Sequence, residues 1–115
     1  MDSIKNITKK ILEFRDERDW KQFHTSKDLA ISISLEASEV LEHFQWKNRH
    51  EIESYVKKNK KEIGDELADV LNYLILLADN LNIDLLKATE KKLDESNKKY
   101  PVEKAKGVST KYTNL

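Results

Sequence analysis

Cysteine is absent from the 115 residues. That excludes disulfides, iron–sulfur clusters and zinc–thiolate sites, and it points to a reducing compartment. Glycine occurs twice and proline once, so little in the chain interrupts a helix. An excess of charge of either sign is also missing: 21 Lys and Arg balance 21 Asp and Glu. A zero net charge argues against a general nucleic-acid binder, which carries a basic excess, and against an acidic solvating tail. The start, MDSIKNITKK, lacks the apolar stretch of a signal peptide. The longest near-apolar run, YLILLA, falls far short of the roughly 20 residues that span a bilayer. The expectation is a soluble, cytoplasmic protein without a membrane or nucleic-acid partner. Its length suits one domain, 1–115, with a single core.

What is present is helix-forming: Leu, Ile, Lys and Glu throughout, in an apolar pattern that predicts four main helices. The first runs from about Ser3 to Asp19, with Ile4, Ile7, Ile11, Leu12 and Phe14 as its inner stripe. A connector, DWKQFHTS, follows and is oddly aromatic for a loop, the kind of segment where binding residues concentrate. Thr25, with Asp28 three residues on, starts a second helix that ends near Trp46. KNRHEIESYVKKNK reads as a polar connection with room for one short helix. The third helix runs from about Lys58 to Leu81, with Asn82 as a left-handed stop. Asp84 caps the fourth, which ends before Tyr100-Pro101 because a residue preceding proline leaves the helical region. The ordered helical part is thus about 3–100, and 101–115 is an irregular tail. The fold class is all-α, a four-helix bundle.

Two acidic pairs break the apolar pattern. SLEASEVLEHFQW places Glu36 and Glu39 three residues apart, and DELADVLNYLILLADNL places Glu66 and Asp69 at the same spacing. At about 100° per residue, Asp69, Tyr73 and Glu62 fall within roughly 60° of Glu66. Val70, Leu77, Ile63 and Leu74 lie on its other side, and only Asp65, Asn72 and Asp79 make a polar sector. Glu66 and Asp69 are therefore set into a helix that is apolar almost all round, as in a central or interface helix. On the second helix Glu36 borders the arc of Leu29, Ile33, Val40, Leu41 and Phe44, with Glu39 beside it.

Residues three apart on a helix have Cβ atoms about 5–6 Å apart, so antiparallel packing of these two helices brings four carboxylates together. Carboxylates withdrawn from water without a partner cost several kcal/mol each. Neither inner face offers a Lys or Arg at the right turn. All-oxygen ligands suit Mg²⁺ or Mn²⁺. A single E-x-x-E on a helix rich in Lys and Glu is ordinary boundary chemistry, paired with surface lysines; two on successive helices, one amid leucines, weigh against that reading. The chemistry by itself stops at a divalent metal with oxygen ligands. Di-iron bundles use Glu-x-x-His, whereas Lys21, Val40 and Lys47 precede His24, His43 and His50 by three, so the motif of a ferritin-like oxidase is absent and the pattern argues against one.

E-x-x-E at 36–39, followed by E-x-x-D at 66–69 after 26 residues, resembles the MazG-like all-α nucleoside triphosphate pyrophosphohydrolases. The flanks RDWKQFH, FQW and KKYPVEKAKG are similar to the dCTP pyrophosphatase branch, and the likeness runs from about residue 12 to 113. The resemblance implies hydrolysis of a nucleoside triphosphate to monophosphate and pyrophosphate, with Mg²⁺ (Mn²⁺ as the substitute) held by Glu36, Glu39, Glu66 and Asp69. It also implies a base pocket from Trp20, Lys21, Gln22, Phe23, His24, Trp46 and Tyr73, and a homodimer or homotetramer with sites between subunits. Relatives often read G-E-V-G-E where this chain has Leu35-Glu36-Ala37-Ser38-Glu39, and Ile11 stands where a relative carries a substrate-contacting histidine. Base and sugar preference therefore stay open.

The physical chemistry agrees. A triphosphate meets an acidic site only through bridging cations, and Glu36 or Glu39 is placed to act as general base on a water. Trp20, Phe23 and Trp46 suit stacking on a base, while a Trp at a helix end equally suits a core cap. The expected function is house-cleaning of a nucleotide pool, with dCTP or a modified pyrimidine triphosphate as substrate. The alternative is a non-catalytic helical interaction module whose acids bind a structural divalent ion.

Overall fold

The computed structural model describes residues 3–115, and every regular element among them is helical. The α-helices are α1 (Ile4–Glu17), α2 (Ser26–Glu42), α3 (Arg49–Asn80), α4 (Leu85–Lys99) and α5 (Val102–Ala105), with 3-10 turns at Lys21–Phe23 and Tyr112–Asn114. The chain comprises two compact units, one ending at Asn82 and the other running Ile83–Leu115; the boundary falls inside the span expected from length to be one domain.

In the first unit α3 packs along α2 and, over a smaller area, along α1. Helix starts follow their capping chemistry. The Ser3, Thr25 and Asp84 side chains accept from the backbone N–H of Asn6, Asp28 and Lys87, which satisfies donors left open by the helix geometry. α3 ends as expected, with Leu81 as its cap and Asn82 at φ 56°. α2 stops at Glu42, four residues before Trp46, because the next turn tightens. Phe44 N–H donates to the Leu41 carbonyl, and Trp46 then leaves the helical region at φ 71°.

The supposed polar connection is helix. Asn48 and Glu51 form a reciprocal capping box that starts α3 at Arg49. The helix is kinked at Asn59 (φ −123°, ψ 24°), where the Asn59 side-chain amide donates to the Tyr55 carbonyl at 2.9 Å. A side chain inserted in the hydrogen-bond ladder is a sufficient cause of such a kink. The expected start near Lys58 was therefore the kink and not the beginning.

The core of this unit is Leu29 with Ile63, Ile75, Leu76 and Ala78. The expected inner stripe of α1 is revised: Ile4 and Phe14 stay half exposed, while Arg15 is buried. Its guanidinium donates to Asp79 at 2.7 Å and to Asp16 at 2.9 Å. Burial opposes the Arg15 charge, but those two hydrogen bonds outweigh it and leave its pKa above the ordinary value. Periodicity puts Asp79 and Asn72 in the polar sector of α3. Asp79 faces α1 through this ion pair, and only Asp65 pairs at the surface, with Lys61.

In the second unit α4 ends at Tyr100, ahead of Pro101. The tail is less irregular than expected: α5 adds one turn, Gly107 reverses the chain at φ 79°, and Tyr112 lies edge-on to Tyr100 at 5.8 Å with the Lys99 ammonium over its ring.

Candidate active site

Glu36 and Glu39 project from α2, and Glu66 and Asp69 from the part of α3 beyond the kink. Antiparallel neighbours on these helices bring the four acids into one electrostatic neighbourhood. Burial pushes the Glu36 carboxyl above its ordinary pKa, and the nearby Glu39 carboxyl and then the charges of Asp69 and Glu66 push it further. Glu36 Oε2 is buried with no hydrogen-bond partner. Glu66 is different: its Oε2 is hydrogen-bonded by His43 Nε2, and His43 Nδ1 meets the Tyr55 hydroxyl at 2.6 Å.

Among the described residues, no three acid or histidine side chains stand at metal-holding separation in this conformation. The donor set nonetheless fits a divalent ion. It is all oxygen, it holds a buried oxygen without a partner, and three neighbouring carboxyls raise the proton affinity of that group.

A cleft of about 490 Å³ opens beside the acids, lined by α1, the 18–25 connector and α3. Its apolar wall includes Ile7, Ile11, Phe14 and Leu76; Trp20, His24, Asp69, Asn72 and Tyr73 supply the rest, with Lys10 and Arg15 at the polar side. The volume lies within the usual range for small-ligand sites. Trp20 is fixed there by the connector: Asp19 turns left-handed at φ 53°, the Trp20 N–H donates to the Arg15 carbonyl, and the indole meets Phe14 edge-on at 5.7 Å. The Arg18 guanidinium stacks on Phe14 at 3.7 Å. His24 Nδ1 is buried without a partner, leaving a polar atom for a ligand to satisfy.

Of the residues expected to bind substrate, Trp20, His24 and Tyr73 line this cleft, and Lys21, Gln22, Phe23 and Trp46 do not. Gln22 is occupied by the Asp19 carbonyl and carboxylate. Phe23 is 68% and Trp46 91% exposed, so the core-cap reading of Trp46 fails in this chain. Sequence reasoning missed Arg15, Asn72, His43 and Tyr55. Asn72 and Asp79 lie in the sector of α3 that its periodicity marks as polar.

Comparison with known proteins follows the same lines. Residues 31–115 match the model of the MazG-like family. Over 115 residues the chain is 36% identical to dCTP pyrophosphatase 1 of Rattus norvegicus and to that of Homo sapiens, covering 98% of this chain and 68% of each relative. A crystal structure of a pyrophosphatase from Archaeoglobus fulgidus DSM 4304 superposes with a TM-score of 0.79 at 38% identity, covering 88% of this chain and 94% of that one.

Proposed function

Because the chain belongs to the MazG-like family, we propose that it is a nucleoside triphosphate pyrophosphohydrolase, acting on dCTP or a modified pyrimidine triphosphate. One observation carries this reading: Asp69 belongs both to the acids that raise the Glu36 pKa and to the wall of the cleft. A nucleotide with its base in the cleft therefore has its phosphates directed at the carboxylates.

Glu36, Glu39, Glu66 and Asp69 would hold Mg²⁺. When bound, the ion supplies charge neutralisation and electrophilic assistance at the α-phosphorus. The chain's own residues do the remainder. Trp20 and Tyr73 flank the base, and stacking of this kind is worth about 1–3 kcal/mol. Phe14, Ile7 and Ile11 keep that side apolar. Glu36 or Glu39 removes a proton from the attacking water, as a carboxylate beside the metal lies within reach of a bound water. Water adds to the α-phosphorus and the bond to the β-phosphate oxygen breaks, giving monophosphate and pyrophosphate.

Trp46, exposed and held at positive φ, meets substrate or a neighbouring chain. Ile31, Leu35, Leu41, Leu67 and Leu74 leave apolar surface on α2 and α3, which supports a homodimer or homotetramer. No helix among the described residues is long and apolar enough to cross a membrane.

Pyrophosphate release from a panel of triphosphates, with and without Mg²⁺, tests the reading. Metal-dependent release from pyrimidine deoxynucleotides is expected. Binding of the metal with no hydrolysis of any triphosphate would favour the non-catalytic module instead.

A further inference from the structure

We propose that His43 is a positioning residue for Glu66, holding one carboxylate oxygen so that the other faces the metal, with Tyr55 setting the ring's tautomer. The inference rests on the reading of Glu66 as a metal ligand and adds a residue that reading does not use. His43 is the last-turn cap of α2, and its side chain is only 12% exposed. Its two ring nitrogens reach opposite arms of the kinked α3: Nδ1 meets Tyr55, before Asn59, and Nε2 meets Glu66, beyond it.

The chemistry of the partners fixes the direction of both bonds. An ionised carboxylate only accepts, so Nε2 carries the hydrogen. Nδ1 of the neutral ring then accepts from the Tyr55 hydroxyl, and no other neutral tautomer satisfies both contacts. The ring is further confined by Phe44 and Tyr55, with centroids at 6.3 and 5.5 Å, and the Lys47 ammonium lies 4.2 Å over the Tyr55 ring. Glu66 Oε2 is thus engaged and Oε1 is left for a ligand. Among the four acids, Glu66 has this support, while Glu36 Oε2 has no partner at all. Hydrogen bonds to a ligating carboxylate orient it, and their loss costs about ten- to hundredfold in metal affinity.

The test measures Mn²⁺ binding to the metal-free protein, without nucleotide, by the loss of the free-ion paramagnetic resonance signal. Thermal melts of the same metal-free samples run alongside. His43→Leu should weaken Mn²⁺ binding about ten- to hundredfold. His43→Gln, whose amide can donate to Glu66, should recover most of the loss. Tyr55→Phe should weaken binding less, in the same direction. Unchanged or tighter Mn²⁺ binding in His43→Leu, with Glu66→Gln weakened, overturns the positioning role while leaving Glu66 a ligand. Unchanged binding in Glu66→Gln removes Glu66 from the metal site, and the inference with it. A purely structural His43 lowers the melting temperature but leaves the affinity of the folded protein as it was. If His43→Leu does not fold, Tyr55→Phe decides: unchanged Mn²⁺ affinity there contradicts the proposal.

Discussion

Arg15 and Asp79, 64 positions apart in sequence, meet in a 2.7 Å ion pair that ties α1 to the end of α3. Arg15 is buried by that contact and also lines the cleft, so the bond that closes the unit also shapes its site. Asp79→Asn keeps the shape and removes the charge. Hydrogen bonds to charged groups contribute about 1.5–3 kcal/mol, and Asp16 still covers one side of the guanidinium. The variant should remain folded, with its urea midpoint lowered to match a loss of unfolding free energy within that range and a raised KM for triphosphate. An unchanged midpoint would mean that the pair does not hold α1 in place.

The acid cluster makes stability depend on pH. A carboxyl whose folded pKa lies above its unfolded value binds its proton more tightly when folded. Its ionisation then costs stability as pH rises from about the unfolded value, 4.5, through the raised one. Glu36→Gln removes that cost. The metal-free variant should melt higher than the wild type at pH 7 to 8, with the difference closing as pH falls toward 4.5. Melting curves across this range check it, and a variant that melts lower at every pH contradicts the repulsion.

Much of the fold was legible because capping and stop signals are local. Thr25, Asp84, Asn82 and the Tyr100-Pro101 step all act where the sequence places them. Asn48 and Glu51 were equally local and were overlooked inside a charged stretch. The carboxylates were legible through spacing. What was not legible is pairing across elements. Arg15 carries no burial signal of its own until α3 supplies Asp79, and His43 has no Glu-x-x-His partner on its own helix because its partner lies 23 residues on. The cleft likewise depends on how α1 approaches α3, which periodicity along one helix does not specify.

Trp46 gives the plainest contrast between core and contact roles. With its side chain 91% exposed, Trp46→Ala should leave the melting temperature nearly unchanged. A buried Trp would cost about 3–5 kcal/mol. If the ring stacks on the nucleobase, KM rises roughly ten- to hundredfold, which is about 1–3 kcal/mol, and substrate-dependent quenching of fluorescence diminishes. A large drop in melting temperature with unaltered KM would place the ring in an interface that stabilises the assembly.

The exposed leucines and isoleucines of α2 and α3 predict association. Sedimentation equilibrium at micromolar concentration should show a dimer or tetramer. Leu67→Lys, placed on that apolar surface, should shift the distribution toward smaller species. A wild type that is monomeric throughout would contradict an assembly built on these faces.

The account's central claim is that water, deprotonated beside the four carboxylates, attacks the α-phosphorus of a nucleotide whose base lies in the cleft. Hydrolysis of dCTP with Mg²⁺ in ¹⁸O-labelled water, followed by phosphorus NMR or mass spectrometry of the products, tests it most directly. The account predicts one ¹⁸O atom in the dCMP phosphate and none in pyrophosphate, with the reaction lost in Glu39→Gln. Label in pyrophosphate, or release of labelled orthophosphate and dCDP, would show that a different phosphorus is attacked and would contradict the account.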